Sequence, residues 1–398
     1  MAILAVNAGS SSLKFSLHPV RQGQVEACPL SGSIQGLEPH GQPYLSYSYQ
    51  GQTTKQTLSV SEDDPFETAL AHLSHLLHHE HDLPALQAIA HRIVHGGKTY
   101  RESVILNKTI LADLDKLNSL APLHQPHNLA GVRAFMDAFP DLPQIGCFDT
   151  AFHATLPEEE YAFALPSTLR QDGVRRYGFH GLSYQYIMGQ LHNISAKAKD
   201  RVIMAHLGNG ASLCAALQGL SLATTMGFSA LDGLIMGTRS GSLDAGVLLY
   251  LLEHDYDHQR IQNLLYKESG LLGLSGLSAD MRTLRASASE EARYAIRLFT
   301  HRVIRESGAM SACLQGLDVF AFSGGIGEHD AQLRADVCEA LAWLGVRLDP
   351  KANQQAKGDC IMPIHAADSG VELWVIPTDE GRVAAADAAR LIIAARAS

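Results

Sequence analysis

The chain has 398 residues, 46% apolar and 18% charged, with a formal charge of −10 from 31 basic and 41 acidic side chains. This describes a globular, soluble protein long enough for two domains with real cores, and it excludes any general attraction to nucleic acid or acidic membrane. The six cysteines, Cys28, Cys147, Cys214, Cys313, Cys338 and Cys360, are widely spaced and form no C-x-x-C pair. That points to reduced thiols in a cytoplasmic protein, not to a disulfide frame or a zinc knuckle.

The opening stretch LAVNAGSSSLKFSL reads as two strands, Ile3–Val6 and Leu13–Leu17, around a small, polar turn. Asn7, Ser10, Ser12, backbone N–H groups and Lys14 would then point at one spot, a donor set suited to phosphate. An ordinary Gly/Ser turn with a surface lysine remains the alternative. No basic region precedes the first apolar residues, so they read as a strand and not as a signal peptide. Residues 42–60 read as hairpin strands. Residues 64–81 read as a helix, with Ser61 or Asp63 as N-cap and Pro65 in its first turn.

That helix carries His72, His75, His78, His79 and His81. His75 and His79 have a metal-ligand spacing, but Leu70, Leu73, Leu76 and Leu77 form an apolar stripe beside them. The reading is a surface helix with its histidines on the wet side. Further strands follow at 88–94, 145–148, 201–205, 319–322 and 371–376, each stopping at glycines or polar residues. In open α/β folds ligands sit where strands stop. The apolar run Val247–Leu252 is too short to span a bilayer. A last helix from about Ala384 is expected to return to the first domain.

A shift of 200 positions lays the opening stretch on MAHLGNGASLCAAL, so that Ser12 meets Ser212 and Lys14 meets Cys214. Both copies are an apolar run, a small-residue turn and a strand, the mark of a duplicated α/β unit. Only one copy carries the cation, so the two are expected to hold different parts of a polyphosphate.

The motifs VNAGSSSLKF, HRIVHGG, APLHQPHNL, FDTAFH, RRYGFHG, HLGNGAS, MGTRSG, FSGGIGE and TDE occur in this order across the chain. Together they resemble the acetate kinase family, which includes propionate kinases. The resemblance implies an α/β, duplicated two-domain fold of the sugar kinase, Hsp70 and actin class with the active site in the interdomain cleft. It also implies a cytoplasmic homodimer that uses ATP as co-substrate with Mg²⁺ or Mn²⁺, acts on a short-chain carboxylate, and binds neither nucleic acid nor membrane. The expected domains are 1–150, joined by a C-terminal helix at about 385–398, and a nucleotide-binding domain at 151–384.

Carried over residue by residue, the resemblance makes Arg92, Asp149, His180 and Arg239 catalytic, with His124 supporting the transition state. Asn7, Asp149 and Glu380 would hold the metal. Ser10, Ser12, Lys14, His206, Gly208, Asn209, Gly210, Gly325, Ile326 and His329 would hold phosphates and nucleotide. Arg92, Val94, Leu123, Phe179 and Ala230 would form the acyl pocket. Each has a plainer alternative: an ion-pair arginine, a turn-capping His180, Asp149 as an N-cap, or Glu380 at a helix dipole.

The pattern also departs from the family. Leu182-Ser183-Tyr184 stands for Thr-Ser-His, Ala223-Thr224-Thr225-Met226-Gly227 for Asp-Thr-Ser-Met-Gly, and Ser229-Ala230-Leu231-Asp232-Gly233 for Thr-Pro-Leu-Glu-Gly. Gly241-Ser242 replaces Gly-Asp, and His329 replaces Asn. Ala230 in place of proline is expected to enlarge the acyl pocket toward propionate or butyrate. His329 puts the choice of phosphoryl donor in question. A sugar-type kinase would instead need a carboxylate base for its hydroxyl, a role open to Asp149. The two arginines argue for the carboxylate, and the full set of charged groups argues against a non-catalytic nucleotide-binding protein.

Overall fold

The computed structural model describes residues 1–9, 11–38, 41–58, 65–79 and 83–397, with the backbone alone at 65, 78 and 79. Ser10, the proposed caps Ser61 and Asp63, and the side chains of His78, His79 and His81 lie outside the described residues. The chain forms two compact units, one of residues 1–151 with 379–398 and one of 152–378.

Among the described residues the first unit has nine strands: β1 (Ala2–Ala8), β2 (Ser12–Arg21), β3 (Gln24–Val25), β4 (Leu30–Gln35), β5 (Tyr44–Tyr49), β6 (Gln52–Thr57), β7 (Leu86–Ile93), β8 (Val104–Ile105) and β9 (Gln144–Phe148). Their order is β6-β5-β4-β2-β1-β7-β9-β8, with β3 pairing to β2. β1 runs antiparallel to β2 and parallel to β7, and β7 runs parallel to β9. The helix Pro65–His79 buries Leu70, Leu73, Leu76 and Leu77 in a core with Leu4, Val6, Leu13 and Phe15, and leaves His75 exposed. The alternation of Phe15 and Leu17 with exposed Lys14 is what a half-buried strand requires.

The last helix, Glu380–Ala397, begins several residues before the expected Ala384 and belongs to this unit. Asp379 accepts the Arg382 backbone N–H at 2.9 Å and starts it, a capping role that a search for apolar periodicity passes over. Ala384, Ala385, Ala388 and Ala389 are buried, and Asp387 accepts the Ser103 hydroxyl at 2.6 Å.

The second unit carries β10 (Arg201–Leu207), β11 (Ala211–Leu217), β12 (Leu220–Thr224), β13 (Val319–Ser323), β14 (Met362–Pro363) and β15 (Glu372–Val375), in the order β12-β11-β10-β13-β15-β14. β10 is antiparallel to β11 and parallel to β13, which is parallel to β15. The run β4-β2-β1-β7-β9 thus repeats, direction for direction, as β12-β11-β10-β13-β15.

The repeat corrects one expected equivalence. β1 and β2 last pair at Ala8 and Leu13, with Asn7 opposite Lys14. β10 and β11 last pair at Leu207 and Ala211, with His206 opposite Ser212. Counted from the turn, Lys14 therefore corresponds to Ser212 and Asn7 to His206. Cys214 is a fully buried core residue, and burial pushes its thiol up to about 12. The second turn is one residue shorter, so a constant shift of 200 slips out of register.

Candidate active site

In the first unit, β7 ends at Ile93 and β9 at Phe148, which sets Arg92 and Asp149 side by side. The Arg92 guanidinium grips Asp149 as a fork: Nε donates to Oδ1 and Oδ2 at 3.1 Å each, and Nη2 to Oδ2 at 2.5 Å. Asp149 is 1% exposed, and Glu380 Oε2 stands 3.5 Å from Arg92 Nε. Burial works against the guanidinium charge, but Asp149 and then Glu380 outweigh it and hold Arg92 protonated above its ordinary range.

Arg92 and Glu380 line a cavity of about 170 Å³ together with Asn7, Lys14, Ser16 and Gly381. A cation, a guanidinium, a carboxylate and an amide thus share one small space. The Asn128 side chain ties the ends of β1 and β7 together, accepting the Val94 N–H at 3.0 Å and donating to the Ala8 carbonyl at 2.6 Å. Gln125 does the same across His95, accepting its N–H and donating to its carbonyl at 3.0 Å. Both residues belong to the APLHQPHNL motif, but their role became legible only from the register. Val94 is buried, Leu123 half-buried, and His124 heads the helix Gln125–Ala138. Ser12 begins β2, and its carbonyl accepts the Gly9 N–H at 2.8 Å.

In the second unit, His180 stands before the helix Gly181–Ile194 in a left-handed backbone conformation, φ 59°. Its Nδ1 is 2.8 Å from Ser212 Oγ, and its ring stacks on His206 with centroids 4.3 Å apart. His206 Nδ1 is 2.8 Å from Ser183 Oγ. Gly210 has no room for a side chain: a Cβ there would lie 2.8 Å from Arg239 Nη2 and 3.1 Å from His180 Nε2. The glycine therefore lets an arginine and an imidazole converge on the same backbone. Arg239 Nη1 donates to the Ala230 carbonyl at 2.5 Å, which fixes the guanidinium beside the buried Ala230. His153 holds the loop before His180, with Nε2 2.9 Å from the Phe179 carbonyl and Nδ1 2.8 Å from Ser221 Oγ.

A cavity of about 940 Å³ opens beside this cluster, and its lining brings together Gly208, Asn209, Gly325, Ile326 and His329. Its wall also includes Asp280, Met281, Arg282 and Arg285, which sequence reading missed because no glycine-rich motif surrounds them. Gly324, φ 73°, turns the chain from β13 into the cavity rim, and a Cβ there would lie 2.7 Å from the Leu207 carbonyl oxygen. Glu328 accepts the Gly324 N–H at 2.8 Å, and fully buried Arg334 donates to the carbonyls of Gly327 at 2.9 Å and Glu328 at 2.8 Å. These two residues hold the turn that Gly325 and Ile326 present.

The departures from the family pattern are accommodated locally. Ser242 Oγ donates to Asp232 Oδ1 at 2.7 Å, and Arg176, 3.5 Å from Asp232 Oδ2, also donates to the carbonyls of Thr224, Thr225 and Met226. Among the described residues no three His, Cys, Asp or Glu side chains converge as a metal-binding group. A metal that keeps most of its waters needs only one or two carboxylates, and Glu380 with Asn7 on one cavity wall fits such an ion.

Comparison with known proteins identifies the family. The acetokinase family model matches residues 2–386. A protein of Rhodopseudomonas palustris named acetate kinase is 48% identical over 382 residues, covering 95% of each chain. Among solved structures, a propionate kinase from Francisella tularensis aligns with a TM-score of 0.89 at 34% identity, covering 97% of this chain and 98% of that one. Porphyromonas gingivalis acetate kinase aligns at 0.87 and 34% identity, covering 98% and 99%. With its repeated β4-β2-β1-β7-β9 run, the protein has the duplicated α/β fold of the sugar kinase, Hsp70 and actin class, and it belongs to the acetokinase family.

Proposed function

We propose that the protein transfers the γ-phosphoryl group of ATP reversibly to a short-chain carboxylate, acetate first and propionate as the alternative, giving an acyl phosphate and ADP. The observation that carries this reading is the Arg92–Asp149 fork facing a cavity shared with Lys14, Asn7 and Glu380. A carboxylate is already ionised at neutral pH, with a pKa of about 4 to 5 by analogy with side-chain carboxyls. No general base is required. The obstacle is electrostatic, since two unit charges 4 Å apart repel by about 4 kcal/mol at an effective dielectric of 20.

Guanidinium groups offset that repulsion most in the transition state, where charge spreads over the equatorial oxygens. Arg92 binds the acyl substrate and Arg239 the transferring phosphoryl group, each in paired donation. His180 adds a further donor to the same phosphoryl group, with His124 in support. Ser10, Ser12 and Lys14 steady the phosphates. Gly208, Asn209, Gly325, Ile326 and His329 bind the nucleoside, and Gly210 and His206 keep the donors in place. Val94, Leu123, Phe179 and Ala230 take the acyl chain. Asn7, Glu380 and Asp149 would hold Mg²⁺ or Mn²⁺ directly or through its waters, and the ion would supply positive charge to the phosphates.

The test is a hydroxylamine trap with ATP and acetate, propionate or butyrate. An acyl hydroxamate that requires both ATP and acid is expected, whereas ATP consumption with a sugar and no hydroxamate would overturn the reading.

The reading extends to a cytoplasmic homodimer. The helix Ala245–Glu253 leaves Leu249 63%, Tyr250 56% and Leu252 56% exposed, an apolar face that supports self-association. Sedimentation at twice the 43.0 kDa chain mass is expected. No helix among the described residues is long and apolar enough to cross a membrane.

A further inference from the structure

Behind His180 lies a chain of buried groups that no motif reading assigns. Ser212 Oγ is 2.8 Å from His180 Nδ1 and 2.5 Å from the hydroxyl of Tyr184. Tyr184 and Ser212 are both fully buried, at 0% exposed. Tyr184 occupies a place where the sequence departs from its family's usual histidine. We propose that Tyr184, acting through Ser212, is a positioning residue that fixes His180 as the neutral tautomer with its proton on Nε2, the nitrogen that faces Gly210 beside Arg239.

The argument is a count of protons. Tyr184 carries one hydroxyl proton, and burial, followed by the nearby Cys214 thiol, pushes its phenol well above the ordinary range, so that proton stays on. The hydroxyl oxygen has two hydrogen-bonding partners, Ser212 Oγ and the His206 backbone, and the backbone contact favours the charged phenol oxygen, as a donated N–H does, so it does not take the hydroxyl proton. Tyr184 therefore donates and Ser212 accepts. The single proton of Ser212 is then directed to its other neighbour, His180 Nδ1. An imidazole that accepts at Nδ1 carries its proton at Nε2.

The reverse arrangement, with His180 donating from Nδ1, would leave Ser212 accepting twice. Its own proton would then be buried without an acceptor, a costly state. The same count opposes the doubly protonated imidazolium. His206, stacked on the same ring, is served separately through Ser183 at 2.8 Å and does not compete for Ser212. The chain thus delivers a fixed, neutral N–H donor to the side where Arg239 Nη2 converges. This inference deepens the proposed function and rests on it only for the use to which the donor is put.

The experiment is two-bond ¹⁵N–¹H correlation on histidine-labelled protein, with His180 assigned by its loss in His180→Gln. The wild type is expected to show His180 Nδ1 as a bare acceptor and Nε2 as the protonated nitrogen. Tyr184→Phe, which keeps the ring and removes the hydroxyl, and Ser212→Ala should both give a tautomer mixture. Ser212→Thr, which restores a hydroxyl, should return the Nε2–H form. Kinetically, Tyr184→Phe should lower kcat roughly tenfold to a hundredfold with KM little changed. An Nδ1–H tautomer in the wild type, or tautomers unmoved by both hydroxyl deletions, would overturn the assignment. Because the spectrum is read on the protein alone, a wild type that makes no acyl phosphate would sink the functional reading while leaving the tautomer result intact.

Discussion

The first and second units build the same sheet and spend its central row differently. Lys14 lies opposite Asn7, and Arg92 follows the last β1–β7 pair, Val6 with His91, so that Lys14, Asn7 and Arg92 stand level across three strands. The matching positions of the second unit are Ser212, His206 and Ser323. One row is cationic and opens on a small cavity. The other is a set of hydroxyls and an imidazole that hydrogen-bond among buried neighbours, and its cation, Arg239, arrives from a loop outside the sheet. The lesson is that a duplicated scaffold preserves strand direction and register, while the chemistry of each position is free to diverge.

The hardest way to break the comparison is to discharge the cationic row. Arg92→Leu takes the guanidinium away from buried Asp149, a change that costs about 3 to 5 kcal/mol of stability. On the proposed function it also removes a transition-state donor, and kcat/KM is expected to fall by roughly a factor of 10³ or more. Urea unfolding and steady-state kinetics separate the two effects. The double substitution Arg92→Leu with Asp149→Leu is expected to recover much of the stability and none of the activity. Recovery of both would make the pair purely structural.

Acid acts on both units through buried histidines. Burial first, opposed in each case by one hydrogen-bonding partner, lowers His91 in the first unit and His153 in the second to about 4. Both are neutral when folded and titrate near 6.5 when unfolded, so the unfolded chain binds more protons between those values. Their contribution is fully present above about pH 6.5 and is lost as pH falls toward 4, by up to about 3 kcal/mol each. His91→Gln and His153→Gln should each flatten the acid limb of a plot of denaturation midpoint against pH. A limb unchanged in both variants would place the acid sensitivity elsewhere.

How much of this was legible beforehand follows from the range of each interaction. Asn7, Lys14, Gly208 and Gly325 sit in turns or at strand ends, where local pattern and small residues mark them. The last helix was legible, but its Asp379 cap was not, because a cap is a single polar contact. Arg92 and Asp149 were legible as separate motif members. Their mutual grip spans 57 positions and depends on the β7–β9 register, with Arg92 beside Cys147. The Tyr184–Ser212–His180 chain was illegible for the same reason, and the shift of 200 failed because one turn lost a residue. The run Val247–Leu252 was noted only as too short for a membrane, since apolar sequence does not say which side of a helix lacks a neighbour.

A gentler test sharpens the contrast between matched positions. Lys14 is exposed, so Lys14→Met should leave the fold intact while weakening phosphate handling by roughly 2 kcal/mol, about thirtyfold in kcat/KM for ATP. The loss should show mainly with ATP as the varied substrate. An equal loss with the acid varied at saturating ATP would move Lys14 to the carboxylate and recast the cationic row as an acyl site.

The smallest expected effect concerns Ala230, whose methyl group is proposed to line the acyl pocket and whose carbonyl accepts from Arg239. These two duties predict different kinetics. If side-chain volume governs, Ala230→Pro should cut kcat/KM for propionate relative to acetate by about 1 kcal/mol, roughly fivefold, with kcat for acetate unchanged. If the substitution instead shifts the carbonyl, Arg239 moves with it, and kcat should fall equally for both acids. A change confined to the propionate-to-acetate ratio therefore makes residue 230 a specificity determinant, whereas a uniform fall makes it a support for the second unit's imported cation.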